Sequence, residues 1–156
     1  MRYADRGAQP ARRLDVEGPG DRTIEHYALK YARPDAVVMA TSRGLKKTYY
    51  RVGILRFSID GTPLTLTALA PSAAPKAGDE LFVPFRDATT GKETYEVGRY
   101  LTLPLQPAGS GYVLDFNAAT NPLCNYSPHY NCPIPPRENR LAVPIRAGEM
   151  TYPKVH

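Results

Sequence analysis

The chain has 156 residues, a length that suits one domain with a single hydrophobic core. Apolar residues make up 42% of it, and the formal net charge is +5. Four arginines lie among the first thirteen residues, so the remainder is close to neutral, which argues against a nucleic-acid partner.

Two absences bear on location. No apolar run approaches the roughly twenty residues that a membrane-spanning helix needs. The first twenty residues also lack the apolar centre of a signal peptide. We therefore expect a cytoplasmic protein without a membrane partner, in which the two cysteines are reduced thiols.

The beginning of the chain predicts an arm followed by a folded unit. Residues 1–22 mix arginine, aspartate, glycine and proline with little to bury, which is typical of a disordered basic arm. Residues 23–156 are predicted to form a single β domain. Residues 23–32 fit both the helical and the strand period, and we favour a strand. The apolar run at 36–41 predicts a short buried strand.

Residues 47–60 contain the clearest strand signal in the chain. The apolar alternation changes face beside Gly53, which predicts a β-bulge. Asp60 and Gly61 tolerate positive φ and predict a hairpin turn. The return strand, residues 64–70, should place Thr67 on the outward face.

Four further strands are predicted, at 81–86, 93–103, 111–117 and 141–145. The second of them contains Gly98, which we read as another bulge. Short strands separated by glycine turns predict an all-β fold, an antiparallel small barrel or sandwich. A long proline-rich loop over residues 117–136 should lie across it.

Polar side chains from separate strands predict a ligand pocket under this loop, as binding clefts require. The candidate ligand-binding residues are Arg99, Asp115, Asn117, Asn139 and Glu149. If Asp115 points inward it must find an arginine such as Arg99. A purely structural ion pair is the alternative to a ligand-binding pair.

Cys124, His129 and Cys132 are close enough in sequence to hold zinc with a fourth ligand from elsewhere. Their spacing is not that of a zinc knuckle or ribbon. The alternatives are reduced structural cysteines, a disulfide, and a nucleophilic cysteine paired with His129.

Three segments point to a family: FRDATTGKETYEVGRYLTL (residues 85–103), LDFNAATNPLCNYS (114–127) and CPIPPRENRLAVPIRAGE (132–149). They resemble the bacterial and archaeal proteins grouped as domain of unknown function 1684 (DUF1684). In that family an Asp-Phe-Asn, an Asn-Pro-x-Cys and a Cys-Pro-x-Pro-Pro recur. The resemblance covers about the last half of the chain and implies a shared fold and a shared site, without supplying a reaction.

Three functions remain open. The first is a small-molecule-binding β domain with the polar pocket described above. The second is an enzyme, a hydrolase that depends on a metal or on Cys124. The third is an interaction module whose proline-rich loop or arginine arm binds a protein or a nucleic acid. Common catalytic and nucleotide-binding motifs are absent from the sequence.

Overall fold

The computed structural model describes Arg2, the backbone of residues 14–16, and residues 36–107 and 111–153. These parts contain seven strands and no α-helix. The strands are β1 (Leu14–Val16), β2 (Ala36–Ala40), β3 (Lys46–Ile59), β4 (Thr62–Ala70), β5 (Glu80–Phe85), β6 (Arg99–Pro104) and β7 (Tyr112–Leu114). Three 3-10 helices in the same parts of the chain span Phe116–Ala118, Leu123–Asn125 and Arg137–Asn139.

Within the predicted arm, β1 pairs antiparallel with β7, and Arg2 forms an isolated bridge with Glu149. The rest of the arm and the strand predicted at 23–32 lie outside the described residues. The disordered arm over 1–22 and the single domain over 23–156 stay predictions.

Strands β2 to β6 form one sheet in chain order, and each neighbouring pair is antiparallel. The prediction of an all-β antiparallel fold is therefore confirmed. Closure into a barrel is wrong for the described strands, since β2 and β6 are the two edges of an open sheet.

A segment without strands, residues 115–153, covers both sheet edges. At the β6 edge, Tyr100 and Thr120 exchange backbone hydrogen bonds of 2.8 and 3.0 Å. At the β2 edge, the Ile134 N–H donates to the Ala40 carbonyl at 2.9 Å. Open sheet edges expose unpaired backbone groups, which closure into a barrel would pair. Here the irregular segment pairs some of them instead.

The hairpin prediction is confirmed. Asp60 and Gly61 have φ of 48° and 79°, and the β3–β4 register shifts between Arg51 and Gly53, as the predicted bulge requires. Thr67 was predicted to face outward, but it is buried. Its backbone bonds to the side chain of Asn139, which covers it.

The long strand predicted at 93–103 is wrong in its first half, because β6 begins only at Arg99. Gly98 belongs to a turn, in which its N–H donates to the Tyr95 carbonyl at 3.0 Å. Its φ is 117°, and a Cβ there would lie 2.6 Å from the Phe85 carbonyl oxygen. The glycine therefore lets this turn press against β5.

The final strand predicted at 141–145 is not formed. The Ile145 N–H donates to the Asp87 carboxylate, and the Ile145 carbonyl accepts from Arg99 at 2.8 Å. Buried side chains thus satisfy this backbone in place of a neighbouring strand.

One face of the large sheet packs against the irregular segment and encloses the core. The Phe85 and Phe116 rings meet edge to face, with centroids 5.4 Å apart. The largest fully buried apolar side chains are those of Leu66, Leu69, Leu81, Val83, Phe85, Leu114, Phe116 and Leu141.

Candidate functional site

Arg99, the first predicted ligand-binding residue, is only 1% exposed. Its guanidinium donates to three backbone carbonyls, those of Ala147, Ile145 (2.8 Å) and Glu149 (3.2 Å). The guanidinium carbon also lies 5.2 Å from the centre of the Phe85 ring. These contacts fix the course of residues 145–149 across the core.

Asp87, not Asp115, is the buried partner of Arg99. Their side chains are 0% and 1% exposed, and Asp87 Oδ2 lies 3.6 Å from Arg99 Nη2. The carboxylate also accepts from the Thr89 and Thr90 hydroxyls. An aspartate followed by two threonines in one turn was the sequence signal for this cluster, because short hydroxyl side chains can satisfy a buried carboxylate locally.

Asn139 is fully buried and uses its amide as a replacement peptide group. Its Oδ1 accepts from the Thr67 N–H at 2.7 Å, and its Nδ2 donates to the carbonyls of Thr67 (2.9 Å) and Pro84 (2.8 Å). Strands β4 and β5 share a single residue pair, Leu69 with Phe82. The amide thus links the two strands beyond the point where direct pairing ends.

Asp115 and Asn117 contact each other. The Asp115 Oδ1 accepts from the Asn117 backbone N–H at 3.0 Å and from its Nδ2 at 2.9 Å. Asp115 therefore caps the N-terminus of the 3-10 helix that follows β7. The proposed meeting of Asp115 with Arg99 is not found among the described contacts.

Glu149 is partly buried, with 20% of its side chain exposed. Its Oε2 accepts from the Asn121 backbone N–H at 2.7 Å and from the Tyr126 hydroxyl at 3.0 Å. The Tyr126 hydroxyl in turn accepts from Asn121 Nδ2 at 3.2 Å. We call Asn121, Asn125, Tyr126, Glu149 and Tyr152 the Glu149 corner.

Arg2 joins two of the predicted residues at this corner. Its Nη2 lies 3.7 Å from Glu149 Oε1, and its Nη1 donates to the Asn117 carbonyl at 2.8 Å. The structure therefore links Asn117 and Glu149 through Arg2, while Arg99 contacts Glu149 only at its backbone carbonyl and Asn139 bonds to backbone inside the core.

A glycine allows the corner to form. Gly148 has φ of 76°, and a Cβ there would lie 2.7 Å from the carbonyl oxygens of Phe116 and Ala119. Only glycine fits such a close approach without displacement. The next N–H, that of Glu149, then donates to the Ala119 carbonyl at 3.0 Å.

Two buried amide atoms at the corner have no hydrogen-bond partner in the described part of the chain: Asn121 Oδ1 and Asn125 Nδ2. Both residues are 6% exposed. The opposite ends of the amides are fixed, since Asn121 Nδ2 donates to the Met150 carbonyl at 2.7 Å and Asn125 Oδ1 accepts from the Tyr152 N–H at 2.9 Å. Buried polar atoms without partners are rare and cost about 1–3 kcal/mol each.

Burial raises the pKa of the Tyr126 hydroxyl, and the adjacent Glu149 carboxylate raises it further, against opposing effects from Asn121 and Arg2. At neutral pH this hydroxyl therefore stays protonated and donates a hydrogen bond to Glu149. Sequence reasoning missed Asn121, Asn125 and Tyr126 as site residues. Their signal was the polar density of NPLCNY, which is equally typical of turns.

Cys124 and Cys132 form a disulfide, with Cα atoms 6.3 Å apart. The expectation of reduced thiols is therefore wrong. The intervening turn folds back and brings the sulfurs together at the β2 edge, where the Ser42 hydroxyl lies 3.2 Å from Cys124 Sγ. A sulfur in a disulfide is no thiolate nucleophile.

His129 is exposed on the same turn. Among the described residues, no group of three or more His, Cys, Asp or Glu side chains is arranged to hold a metal ion. Zinc on Cys124, His129 and Cys132 stays a prediction, and it would concern the reduced protein alone.

Reducing this disulfide should lower the free energy of unfolding by about 2.5 kcal/mol, the loop-closure term for so short a loop. For a chain of this size that corresponds to a Tm lower by about 5–10 °C. Thermal melts with and without a dithiol reductant measure it, and the reductant should leave the Tm of Cys124→Ala/Cys132→Ala unchanged. A wild-type Tm that stays constant when both thiols are shown to be free would contradict the prediction.

Within the described ranges, no helix combines the length and the apolar character needed to cross a membrane. The cytoplasmic location stays a prediction. The disulfide argues against this prediction, because disulfides persist mainly in oxidising compartments.

Comparison with known proteins confirms the resemblance drawn from the sequence. A family model described as "Protein of unknown function (DUF1684)" matches residues 20–150. The solution NMR structure of the uncharacterized protein from gene locus rrnAC0354 of Haloarcula marismortui is similar, with a TM-score of 0.65 and 35% sequence identity. The alignment covers 89% of this chain and 70% of that one. No curated protein matches the chain.

Proposed function

Because the chain belongs to the DUF1684 family of proteins of unknown function, we propose a function from its own residues: it binds a small molecule at the Glu149 corner. The predicted pocket is thereby moved from the surroundings of Arg99 to the contact between residues 121–126 and 149–152. Arg99 and Asn139 support this site as framework residues.

One observation carries the proposal. Asn121 Oδ1 and Asn125 Nδ2, an acceptor and a donor, are buried at the corner without hydrogen-bond partners among the described residues. A ligand that bonds to both atoms would offset the cost of burying them, whereas an empty corner would carry that cost without return.

The burial of these atoms also bears on how a ligand enters. The Tyr126 and Tyr152 rings pack against each other, with centroids 5.3 Å apart, and are 45% and 46% exposed. They are the outermost members of the corner. Binding therefore requires these rings to turn outward, a side-chain motion that is open to half-exposed residues.

A thermal-shift screen with neutral, anionic and cationic metabolites tests the proposal. A ligand at about five times its Kd adds about 1 kcal/mol, which raises the Tm by about 2–4 °C. We expect such a shift for at least one compound with the wild type and its loss with Glu149→Gln.

The matched control is Glu138→Gln, which removes a surface carboxylate paired with Arg51 at 2.7 Å, outside the corner. It should respond to the compound as the wild type does. If no compound shifts the wild type, or if both variants lose the shift equally, the corner is not the binding site.

A further inference from the structure

The Tyr126 hydroxyl is bonded as the hydroxyl of a ligand would be. It donates to Glu149 Oε2 at 3.0 Å and accepts from Asn121 Nδ2 at 3.2 Å. A hydroxyl supplies one donor and two acceptor positions, so it matches a carboxylate on one side and an amide N–H on the other. Any alcohol group that displaces the Tyr126 side chain could make the same two bonds.

The charges at the corner restrict what can replace it. An anion would be repelled by Glu149, whose Oε2 faces the position of the Tyr126 hydroxyl. A cation has no acceptor to offer Asn125 Nδ2, and it would compete for Glu149 with Arg2, which already lies 3.7 Å from Oε1. A neutral group that both donates and accepts meets neither objection.

The two amide atoms without a partner among the described residues also favour a group that both donates and accepts hydrogen bonds. Asn121 Oδ1 needs a donor and Asn125 Nδ2 needs an acceptor, and a second and third hydroxyl can supply one each. The tyrosine rings beside them offer apolar faces to the C–H groups of such a molecule.

We propose that the Glu149 corner binds a neutral polyhydroxylated molecule, a sugar or a polyol, one hydroxyl of which takes the place of the Tyr126 hydroxyl. This inference rests on the proposed function. It gives Tyr126 a second role as an internal competitor that fills the site until a ligand arrives.

Sugars and polyols stabilise most proteins by exclusion from the surface, so a Tm shift alone does not establish their binding. The experiment is therefore a titration of the full ¹⁵N-labelled chain with D-glucose and with sorbitol, followed through the side-chain amide signals of Asn121 and Asn125. Acetate and tetramethylammonium serve as anionic and cationic probes. We expect saturable shifts with glucose or sorbitol, and none with the charged probes.

Tyr126→Phe provides the discriminating variant. It removes the competing hydroxyl, which is worth about one hydrogen bond, and should tighten binding of the polyol about fivefold. Tyr130→Phe is its matched control, because Tyr130 lies in the same turn and is 47% exposed. Glu149→Gln should weaken binding at least tenfold.

Unchanged or weaker binding by Tyr126→Phe would overturn the competitor role, and signals unmoved by both glucose and sorbitol would overturn the ligand class. If acetate or tetramethylammonium moves those signals instead, the corner is a binding site and only the polyol inference fails. If no probe moves them and the metabolite screen is also negative, the proposed function fails as well.

Discussion

Replacing Arg99 by methionine should lower the free energy of unfolding by about 3–5 kcal/mol, the range for breaking a buried ion pair from one side. Methionine fills much of the same volume but leaves the Asp87 carboxylate without its cation. The carbonyls of Ala147, Ile145 and Glu149 would also lose their donor. Urea unfolding followed by tyrosine fluorescence measures this, since the chain has eleven Tyr and no Trp.

Arg146→Met is the matched control. Arg146 lies within residues 145–149, the segment whose carbonyls Arg99 binds, and pairs with Glu93 at 2.9 Å, closer than the 3.6 Å between Arg99 and Asp87. Its side chain is 59% exposed, however, and exposed pairs are worth about 0–1 kcal/mol. Burial rather than distance should decide which variant loses more stability. Equal losses in the free energy of unfolding of Arg99→Met and Arg146→Met would contradict this account.

A double variant separates the charge from the packing. In an Asp87→Asn background, Arg99→Met no longer leaves a buried anion without a cation. It should therefore lower the free energy of unfolding by less than it does in the wild type. If the two changes add without interaction, the ion pair is not what holds residues 145–149 in place.

The parts of the fold that sequence reasoning predicted correctly are the local ones. The β3–β4 hairpin follows from alternation, from Gly53 and from the Asp60–Gly61 turn, all within one stretch of chain. The failure at 141–145 has the opposite origin. There the Ile145 backbone bonds to Arg99 and Asp87, 46 and 58 residues away, and no local pattern reveals such partners.

The candidate site was only partly predictable for a related reason. Convergent polar side chains suggest a ligand pocket, but the same side chains can satisfy the protein's own backbone. Arg99 and Asn139 do so, whereas Glu149 lies at the corner where two amide atoms have no partner in the described part of the chain. Asn139 has the same residue type as Asn121 and Asn125, and the difference between them appears only in the three-dimensional contacts.

Asn139→Asp should be as damaging as the loss of Arg99, although it changes a single atom in the side chain. The Oδ1 contact to the Thr67 N–H can persist, but the second oxygen then faces the carbonyls of Thr67 and Pro84, where the wild-type amide donates. At neutral pH we expect a loss of about 3–5 kcal/mol, because a charge would be buried against two acceptors. Asn131→Asp is the control, since Asn131 Oδ1 accepts from the Arg43 N–H and a carboxylate can do the same.

The pH dependence tests the mechanism. Burial and the two facing carbonyls should raise the pKa of the introduced carboxyl above its value of about 3.9 in the unfolded chain. The folded variant then binds a proton more readily than the unfolded one, so its stability rises as the pH falls towards the unfolded pKa. The protonated carboxyl can also donate to one of the two carbonyls. The deficit relative to the wild type should therefore be smaller at pH 5 than at pH 8, whereas a deficit independent of pH would show that the amide contributes shape alone.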